Sequence, residues 1–291
     1  MRVQLPGLYA SDFAVPKDRI AIDPAALAMN GEVPLTEVDV QDARMLQADR
    51  DPTEFFSEYG FVLLDHATEV SEWNTDPVDV SSTNQVGSIY AREVEQIVRE
   101  LILPNSGITY IYQPPNVITR GNTEDTEPYA LGVHQDYGIT ADEFEDNLAA
   151  FAGFEVAKNW RLAFENSAGG RFVALSLWRT IQMNEPLRHM PLALCDPRSV
   201  RQEDLVPTSL VNFTPTGLPS IQMGLKHHPD QRWYYYSNMT TDEVLVINQF
   251  DLWRGEVPKL RSCFHTAFEL PNMDSNVEPR RSCEYRPQVF F

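Results

Sequence analysis

The triplet His134-Gln135-Asp136 places an imidazole and a carboxylate two positions apart. In an extended strand, residues i and i+2 point to the same face about 6–7 Å apart, so both side chains can reach one metal ion. Such a triplet also arises by chance in many proteins, where the histidine caps a turn. By itself the triplet is therefore only a weak indication of a metal site.

A distant histidine, His265, strengthens this metal hypothesis. It lies in an apolar run that suits a strand, and Arg280 follows it fifteen positions later, with Ser282 two positions further on. Two histidines and an acid in this arrangement describe the 2-His-1-carboxylate facial triad of non-haem Fe(II) oxygenases, which leaves positions open on the iron. We therefore expect His134, Asp136 and His265 to bind iron and to carry the catalysis.

Arg280 and Ser282 would suit the cosubstrate of such an iron centre. 2-Oxoglutarate chelates iron through its C1 carboxylate and keto oxygen, and O2 takes the remaining position. The distal C5 carboxylate requires a planar, permanently charged fork, which is arginine rather than lysine. Ser282 faces the same way as Arg280 in a strand and can add a hydroxyl hydrogen bond. The alternative for Arg280 is a surface salt bridge.

Arg286 is a second candidate for binding the cosubstrate. It has the same strand parity as Arg280, but six residues of strand span about 20 Å, so the two arginines cannot hold one carboxylate. The sequence leaves three alternatives open for Arg286. It replaces Arg280 at the cosubstrate, it binds an acidic group of the substrate, or it pairs with Glu284 and serves the structure.

Arg179 and Tyr112 are further candidates. Arg179 lies in a strongly apolar run, where a buried guanidinium needs an anionic partner. That partner is either a carboxylate of the cosubstrate or substrate, or a nearby acid such as Asp196. Tyr112, in a short run before His134, is placed to contact the cosubstrate or substrate, although a core aromatic explains it equally well.

The elements that must position these residues are mostly strands. From about residue 107 onwards, short β-branched and aromatic runs alternate with turn signals. Many short strands at near-regular intervals are typical of a sandwich or barrel rather than of a sheet with crossover helices. Aromatic residues at mixed helical spacing over 137–170 indicate a helical or loop insertion between strands.

The region before residue 107 has a different sequence pattern. Residues 1–45 lack clear periodicity and are expected to be irregular, whereas Asp51-Pro52 and Gly60 mark the start and end of a helix. Apolar spacing over 86–103 predicts an amphipathic helix. We therefore predict one domain over residues 1–291, mainly β, with a helical or irregular N-terminal layer at 1–106 and a β core at 107–291.

The charge of the chain excludes several partners. The 291 residues include 23 Lys and Arg against 42 Asp and Glu, a formal net charge of −19. Nucleic acids and anionic membrane surfaces attract basic proteins, so neither is expected as a partner. No stretch approaches the roughly 18 apolar residues that span a bilayer. The three cysteines lack metal or disulfide spacing and no signal peptide is evident, so we expect a cytoplasmic location.

Several motifs occur in order over residues 107–291. They are Val133-His134-Gln135-Asp136-Tyr137, Leu177-Trp178-Arg179, Pro191-Leu192-Ala193-Leu194-Cys195-Asp196-Pro197-Arg198-Ser199-Val200, Arg232-Trp233-Tyr234-Tyr235-Tyr236, His265-Thr266-Ala267-Phe268 and Pro279-Arg280-Arg281-Ser282-Cys283-Glu284-Tyr285-Arg286. With this series the chain resembles a fungal and bacterial family of secondary metabolism that includes gibberellin desaturase-like and cephamycin 7α-hydroxylase-associated proteins.

The resemblance implies a double-stranded β-helix core, also called a jelly-roll or cupin-like core, with Fe(II), 2-oxoglutarate and O2 as cofactors. It also implies oxidation of a C–H bond of a small natural product, by hydroxylation, desaturation or a related outcome, with release of succinate and CO2. The chain departs from the family's pattern at Thr180, at 248–252 and at Arg281. These segments could line the substrate cavity, so a relative's substrate does not transfer.

Two other function classes are open. A non-catalytic subunit of the same fold could partner a biosynthetic enzyme, but it would have no reason to keep three metal ligands. A zinc-dependent hydrolase or cupin could use the same triad, but it would need no arginine clamp for a dicarboxylate. The sequence leaves the assembly state undecided, with a homodimer as one option.

Overall fold

The computed structural model describes residues 1–30, 33–73, 84–121, 126–273 and 276–291. Most of its regular structure is strand. The strands are β1 (Arg2–Pro6), β2 (Ile20–Ile22), β3 (Leu35–Asp42), β4 (Phe61–Asp65), β5 (Tyr110–Tyr112), β6 (Ile118–Arg120), β7 (Arg171–Thr180), β8 (Leu192–Cys195), β9 (Leu205–Leu210), β10 (Ser220–Leu225), β11 (Trp233–Tyr235), β12 (Glu243–Trp253), β13 (His265–Ala267), β14 (Ser282–Tyr285) and β15 (Gln288–Phe290).

The helices lie mainly at the start of the chain and in one insertion. They are α1 (Pro24–Asn30), α2 (Ala43–Gln47), α3 (Pro52–Tyr59), α4 (Ala91–Gln96), α5 (Ala141–Ala152) and α6 (Phe154–Asn166). Two π-helical segments, Val86–Tyr90 and Ile97–Ile102, continue α4 in both directions, so one long helix covers the region where the apolar spacing predicts it. The last two α-helices occupy most of the 137–170 segment, where an insertion is expected.

The strands of the described residues form three sheets. The large sheet has the order β4-β12-β7-β14-β6, and β15 follows β14 along the same edge of β7 and also pairs with β5. The two smaller sheets have the orders β1-β3-β11-β8-β13 and β10-β9-β2. His134 pairs with His265 of β13, and Gln135 pairs with Met223 of β10. This short segment therefore joins the two smaller sheets.

One face of the large sheet packs against the long helix formed by α4 and its two π-helical extensions. Alternate residues of a strand point to opposite faces. Leu177 and Tyr285, which are register partners, are buried with Tyr90 and Val94 of the long helix in one apolar cluster. We call this side the helix face.

The opposite side of the large sheet, which we call the interior face, looks towards the smaller sheets. It carries Thr180 and its register partner Ser282. Phe61 of β4 lies on the same face and packs on Tyr234 of β11, with 5.9 Å between ring centroids. The space between the large sheet and the smaller sheets is therefore where side chains from both can meet.

The first 45 residues are not irregular, so that prediction was wrong. β1 pairs antiparallel with β3, and β3 pairs in parallel with β11. Val38 and Val40 of β3 are buried while Glu37 and Asp39 between them are exposed, the alternation of a half-buried strand. This alternation covers only a few residues, and β11, the strand that pairs with β3, lies far along the chain. The local sequence therefore gives little sign that β3 is a strand.

Helix α3 begins and ends where the sequence predicts. The Asp51 side chain accepts a hydrogen bond from the backbone N–H of Glu54 (3.0 Å), and Pro52 occupies the first turn. Gly60 ends the helix at φ 73°, a left-handed conformation that glycine adopts without strain. The chain then turns directly into β4 at the edge of the large sheet.

A substitution at Phe144 on α5 would test how the helical segment α5–α6 packs on the large sheet. The Phe144 ring is fully buried against Trp160, Phe172 and Phe250. We expect Phe144→Ala to lower the free energy of unfolding by about 3–5 kcal/mol, because the buried ring leaves a cavity. Phe154→Ala, at a position 72% exposed, should change it by less than about 0.5 kcal/mol. Urea unfolding followed by circular dichroism measures both, and equal effects would contradict this packing.

Candidate functional site

His134, Asp136 and His265 lie together between the large sheet and the smaller sheets. One ligand atom from each lies within 4.8 Å of the others. Asp136 Oδ1 is 3.6 Å from His134 Nε2, and Asp136 Oδ2 is 3.7 Å from His265 Nε2. The structure thus brings together the three ligands expected from the sequence, and Asp136 and His265 are buried.

The backbone fixes this convergence. The His134 N–H donates to the His265 carbonyl (3.1 Å), and the His265 N–H donates to the His134 carbonyl (2.9 Å). Residues that exchange both bonds in an antiparallel pair carry their side chains on the same side. Asp136 follows two positions after His134, and Asn147 of α5 donates to the Asp136 carbonyl (3.2 Å). The insertion therefore helps to hold the segment that carries two of the ligands.

Backbone carbonyls select the tautomer of both imidazoles. His134 Nδ1 lies 2.7 Å from the Gly132 carbonyl oxygen, and His265 Nδ1 lies 3.2 Å from that of Cys263. A carbonyl oxygen can only accept, so each Nδ1 carries the proton and donates. Each Nε2 then presents a lone pair, the form in which histidine binds metals.

The three side chains fit a divalent cation. Asp136 Oδ2 is buried without a hydrogen-bond donor among the described residues, although it faces His265 Nε2. Burial opposes ionisation of Asp136, but Arg286 and the imidazoles outweigh it and hold the pKa of this carboxyl well below its usual value. Burial and the neighbouring His134 lower the pKa of His265, which favours the neutral imidazole. A carboxylate facing imidazole lone pairs is stabilised when a cation lies between them.

Arg280 is a buried guanidinium without an acidic partner. Only 2% of the residue is exposed, and the guanidinium lies 4.2 Å from the Tyr129 ring and 5.5 Å from the Trp178 ring. It donates to the Met190 carbonyl, whereas its Nε has no partner and no described carboxylate pairs with it. Burial lowers the pKa of Arg280 to about 10. A buried charge of this kind is stabilised when it receives an anion.

Two hydroxyl groups lie beside Arg280 on the interior face. Ser282 of β14 and Thr180 of β7 are register partners, and both are fully buried. Neither hydroxyl has a hydrogen-bond partner among the described residues. Arg280 precedes Ser282, the first residue of β14, by two positions, so its side chain is expected on the same side of the large sheet as the two hydroxyls. We call Arg280, Ser282 and Thr180 the polar pocket. A carboxylate could accept from all of them.

Arg286 has a different environment from Arg280. Its Nε and Nη2 donate to the two oxygens of Glu284 (2.8 and 2.9 Å), and Nη2 also contacts Asp136 Oδ1 (3.2 Å). Burial disfavours its charge, but the carboxylates outweigh burial and raise the pKa of Arg286 well above its usual value. Of the three alternatives for Arg286, the structure brings it to Glu284, with the metal-binding acid as a second partner. The guanidinium is already engaged by two carboxylates.

Arg179 does not join this group, because it points to the helix face. It is fully buried, donates to the His66 carbonyl, and lies 5.7 Å from the Tyr90 ring. The alternative partner for Arg179, Asp196, is wrong as well, because the Asp196 carboxylate binds Arg198 (2.8 Å) in another part of the molecule. The expected contact of Arg179 with the cosubstrate is therefore not supported by its position.

Tyr112 lies at the rim of the interior. It pairs with Gln288, two positions beyond Arg286 on the same face of the large sheet, and 42% of the residue is exposed. The ring is therefore neither a core aromatic nor a neighbour of the three ligands. Its position allows contact with a molecule that enters the interior.

Sequence reasoning missed several residues in and around the polar pocket. Tyr129 and Trp178 flank the Arg280 guanidinium, and His189 Nδ1 accepts a hydrogen bond from the Arg280 backbone N–H (3.3 Å). His189 has no carboxylate at ligand spacing in the sequence, which gives no sign of this contact. From the sequence, Thr180 is only a residue that could line the substrate cavity, because its position beside Ser282 depends on the register of β7 with β14.

Comparison with known proteins places the chain in a family. A family model described as "Oxidoreductase/YMDC permease-like domain" matches residues 18–290. The Fe(II)/2-oxoglutarate-dependent dioxygenase nvfI of Aspergillus novofumigatus is 34% identical over 121 residues, 41% of this chain and 41% of that protein. The hydroxylase/desaturase efuI of Hormonema carpetanum is 33% identical over 129 residues, 42% of this chain and 41% of that protein. The aligned parts thus span about two fifths of these relatives.

Solved structures extend the likeness to the whole fold. The iron and alpha-ketoglutarate-dependent endoperoxidase NvfI superposes with a TM-score of 0.65 at 24% identity, over 100% of this chain and 96% of that chain. A second NvfI structure in a different conformation gives 0.71 at 23% identity, over 100% and 97%. In the described residues, no helix is both long and apolar enough to cross a membrane.

The family resemblance inferred from the motifs is confirmed by these relatives, which are named as Fe(II)/2-oxoglutarate-dependent dioxygenases or hydroxylase/desaturases of fungi. The fold is mainly β, and it superposes on the fold of NvfI. With the family model matching nearly all of its length, the chain belongs to the oxidoreductase/YMDC permease-like family.

Proposed function

We propose that this chain is a non-haem Fe(II)/2-oxoglutarate-dependent oxygenase that oxidises a C–H bond of a small secondary metabolite. One combination carries the proposal: the His134, Asp136 and His265 group, and Arg280, a buried guanidinium without an acidic partner among the described residues. A metal site explains the first feature, and a dicarboxylate cosubstrate explains the second. Neither feature alone distinguishes this function from its alternatives.

The two features are linked across the interior face, because Arg280 lies 5.5 Å from the ring of Trp178 and Trp178 is the register partner of Glu284. Glu284 in turn shares Arg286 Nη2 with Asp136.

The pocket beside Arg280 argues against the other two function classes. A zinc-dependent hydrolase with the same ligands would have no use for a buried cationic pocket near its metal. A non-catalytic binding subunit would have to retain both the three ligands and the unpaired guanidinium without a reaction to use them. Burying an arginine without an anion is unfavourable. Arg179 is also buried without an acid, but it lies on the helix face, so it is the placement of Arg280 beside the interior face that supports a bound carboxylate there.

In this proposal the chain's residues divide the work. Fe(II) held by the three ligands would supply the activation of O2 that couples oxidation of 2-oxoglutarate to succinate and CO2 with oxidation of the substrate. Arg280 would bind the C5 carboxylate, with Ser282 and Thr180 donating hydroxyl hydrogen bonds. Tyr129 and Trp178 cover the guanidinium and keep water from it, which strengthens its attraction for the carboxylate.

The sheet arrangement supports the finer description of the fold. We propose that the large sheet and the joined smaller sheets are the two halves of a double-stranded β-helix, with the metal position between them. The helices on the helix face would then form the N-terminal layer, in one domain over residues 1–291. His265 is in β13 of a smaller sheet and His134 bridges to it, whereas Ser282 is in β14 of the large sheet and Arg280 lies two positions before β14.

The substrate would enter where the interior opens. Tyr110 and Tyr112 of β5 are exposed on the strand that pairs with β15, and these aromatic rings support an apolar or aromatic natural product as the substrate class. The relatives' names include hydroxylase/desaturase and endoperoxidase, and those names describe those proteins. They support an oxidised C–H bond without selecting the outcome.

The metal ligands can be tested without any substrate. Removing a residue that only supports a metal ligand typically weakens metal binding about 10- to 100-fold. We expect His265→Ala to weaken Fe(II) binding by more than this, because it removes a ligand itself. His228→Ala, a turn histidine that accepts from the Asp230 backbone N–H, should leave binding unchanged. Anaerobic titration with Fe(II) measures both. Equal binding by the two variants would mean that the metal lies elsewhere.

The role of Arg280 is tested by cosubstrate turnover. The protein with Fe(II), 2-oxoglutarate and O2 should release succinate, and release should stop when O2 is removed. Arg280→Gln should raise the KM for 2-oxoglutarate about 10- to 100-fold, which corresponds to the loss of about 1.5–3 kcal/mol for a charged hydrogen bond.

Arg188→Gln provides the matched control, because Arg188 is exposed and lies one position before His189. It should leave the KM for 2-oxoglutarate unchanged. Metal binding should be the same in both variants, since neither side chain is a ligand. An Arg280→Gln protein with the parent KM would refute the clamp, and a parent protein that releases no succinate at all would refute the proposed function.

A further inference from the structure

We propose that Arg286 holds Glu284 away from the metal, so that the site keeps a single carboxylate ligand and the open positions that a chelating cosubstrate needs. This inference rests on the proposed function, because it concerns the same metal. It assigns Arg286 and Glu284 to positioning and not to contact with 2-oxoglutarate. The interior contains two acids close to the imidazoles, and only one of them belongs to the ligand group.

The contact pattern of one nitrogen atom carries the inference. Arg286 Nη2 lies 2.9 Å from Glu284 Oε2 and 3.2 Å from Asp136 Oδ1. Because both oxygens contact the same atom, the two carboxylates are immediate neighbours. Arg286 Nε binds the remaining oxygen of Glu284 at 2.8 Å. The guanidinium fork therefore occupies both oxygens of Glu284 but only one oxygen of Asp136.

The unequal sharing leaves one acid available to a metal. Asp136 Oδ2 faces His265 Nε2 and is free of hydrogen bonds among the described residues, whereas neither oxygen of Glu284 is free. A bidentate arginine–carboxylate pair is strong and geometrically fixed. Asp136 can therefore bind the metal through one oxygen while Arg286 holds the other. Glu284 is kept in the fork.

Without Arg286, the same geometry would favour a different metal site. Two neighbouring carboxylates repel each other in a buried space, and a divalent cation beside them relieves that repulsion. Glu284 has one more rotatable bond than an aspartate and could turn towards the metal. The site would then have two imidazoles and two carboxylates. A fourth protein ligand would occupy a position that the cosubstrate requires.

Cobalt binding in three variants tests this inference. Co(II) is the probe because its visible absorption changes with the number and geometry of its ligands. We expect Arg286→Gln to bind Co(II) at least about tenfold more tightly than the parent, since a second carboxylate is released. The Co(II)-loaded variant should bind 2-oxoglutarate at least about tenfold more weakly, and its spectrum should change less on adding 2-oxoglutarate.

The double variant Glu284→Gln/Arg286→Gln is the decisive control. It lacks both the guanidinium and the competing acid, so 2-oxoglutarate affinity should return to within a few-fold of the parent, and the extra Co(II) affinity should disappear. If Arg286 merely supports Asp136, Arg286→Gln weakens Co(II) binding and the second substitution gives no rescue. That result would overturn the inference.

Arg286→Lys covers the case in which Arg286→Gln fails to fold. An ammonium group keeps the positive charge but cannot hold a carboxylate in a two-pronged fork. We expect weaker 2-oxoglutarate binding, restored by adding Glu284→Gln, and no restoration would again overturn the inference. A parent protein whose Co(II) form binds no 2-oxoglutarate would instead refute the proposed function, so the two failures are distinguishable.

Discussion

The reciprocal backbone hydrogen bonds between His134 and His265 are the constraint on which the site depends. They attach the segment that carries His134 to β13, and they make both imidazoles point the same way. Because alternate residues of an extended chain point to the same side, Asp136, two positions after His134, is placed on that side too. A metal site made from distant parts of the chain thus follows from one strand-like pairing of two residues.

Arg280 and Arg286, which flank β14 of the large sheet, have opposite electrostatic environments. Arg280 is buried without an acid, and burial lowers its pKa to about 10, whereas the carboxylates of Asp136 and Glu284 raise the pKa of Arg286 well above its usual value. The first is suited to receiving an anion that the chain does not supply. The second already has its anions. In the proposed function, this difference assigns Arg280 to the cosubstrate and Arg286 to the positioning of the carboxylates.

Sequence patterns predicted which candidate ligands lie together better than they predicted the strand pairing around them. The spacing of His134 and Asp136 and the parity of Arg280 and Ser282 are local, so both could be derived from strand geometry. The inclusion of His265 needed the downstream arginine and the family resemblance, because nothing local links it to the triplet. Strand pairing between β1, β3 and β11, and the contact of Arg286 with Asp136, depend on the register of strands far apart in sequence, which no single segment encodes.

Anaerobic addition of Fe(II) and 2-oxoglutarate, followed by visible absorption, tests the central claim most directly. The claim is that the three side chains hold iron and leave adjacent positions free for a chelating cosubstrate. The account predicts a weak charge-transfer band that requires both components and saturates at one iron per chain. A protein that binds Fe(II) but develops no band at saturating 2-oxoglutarate would contradict it.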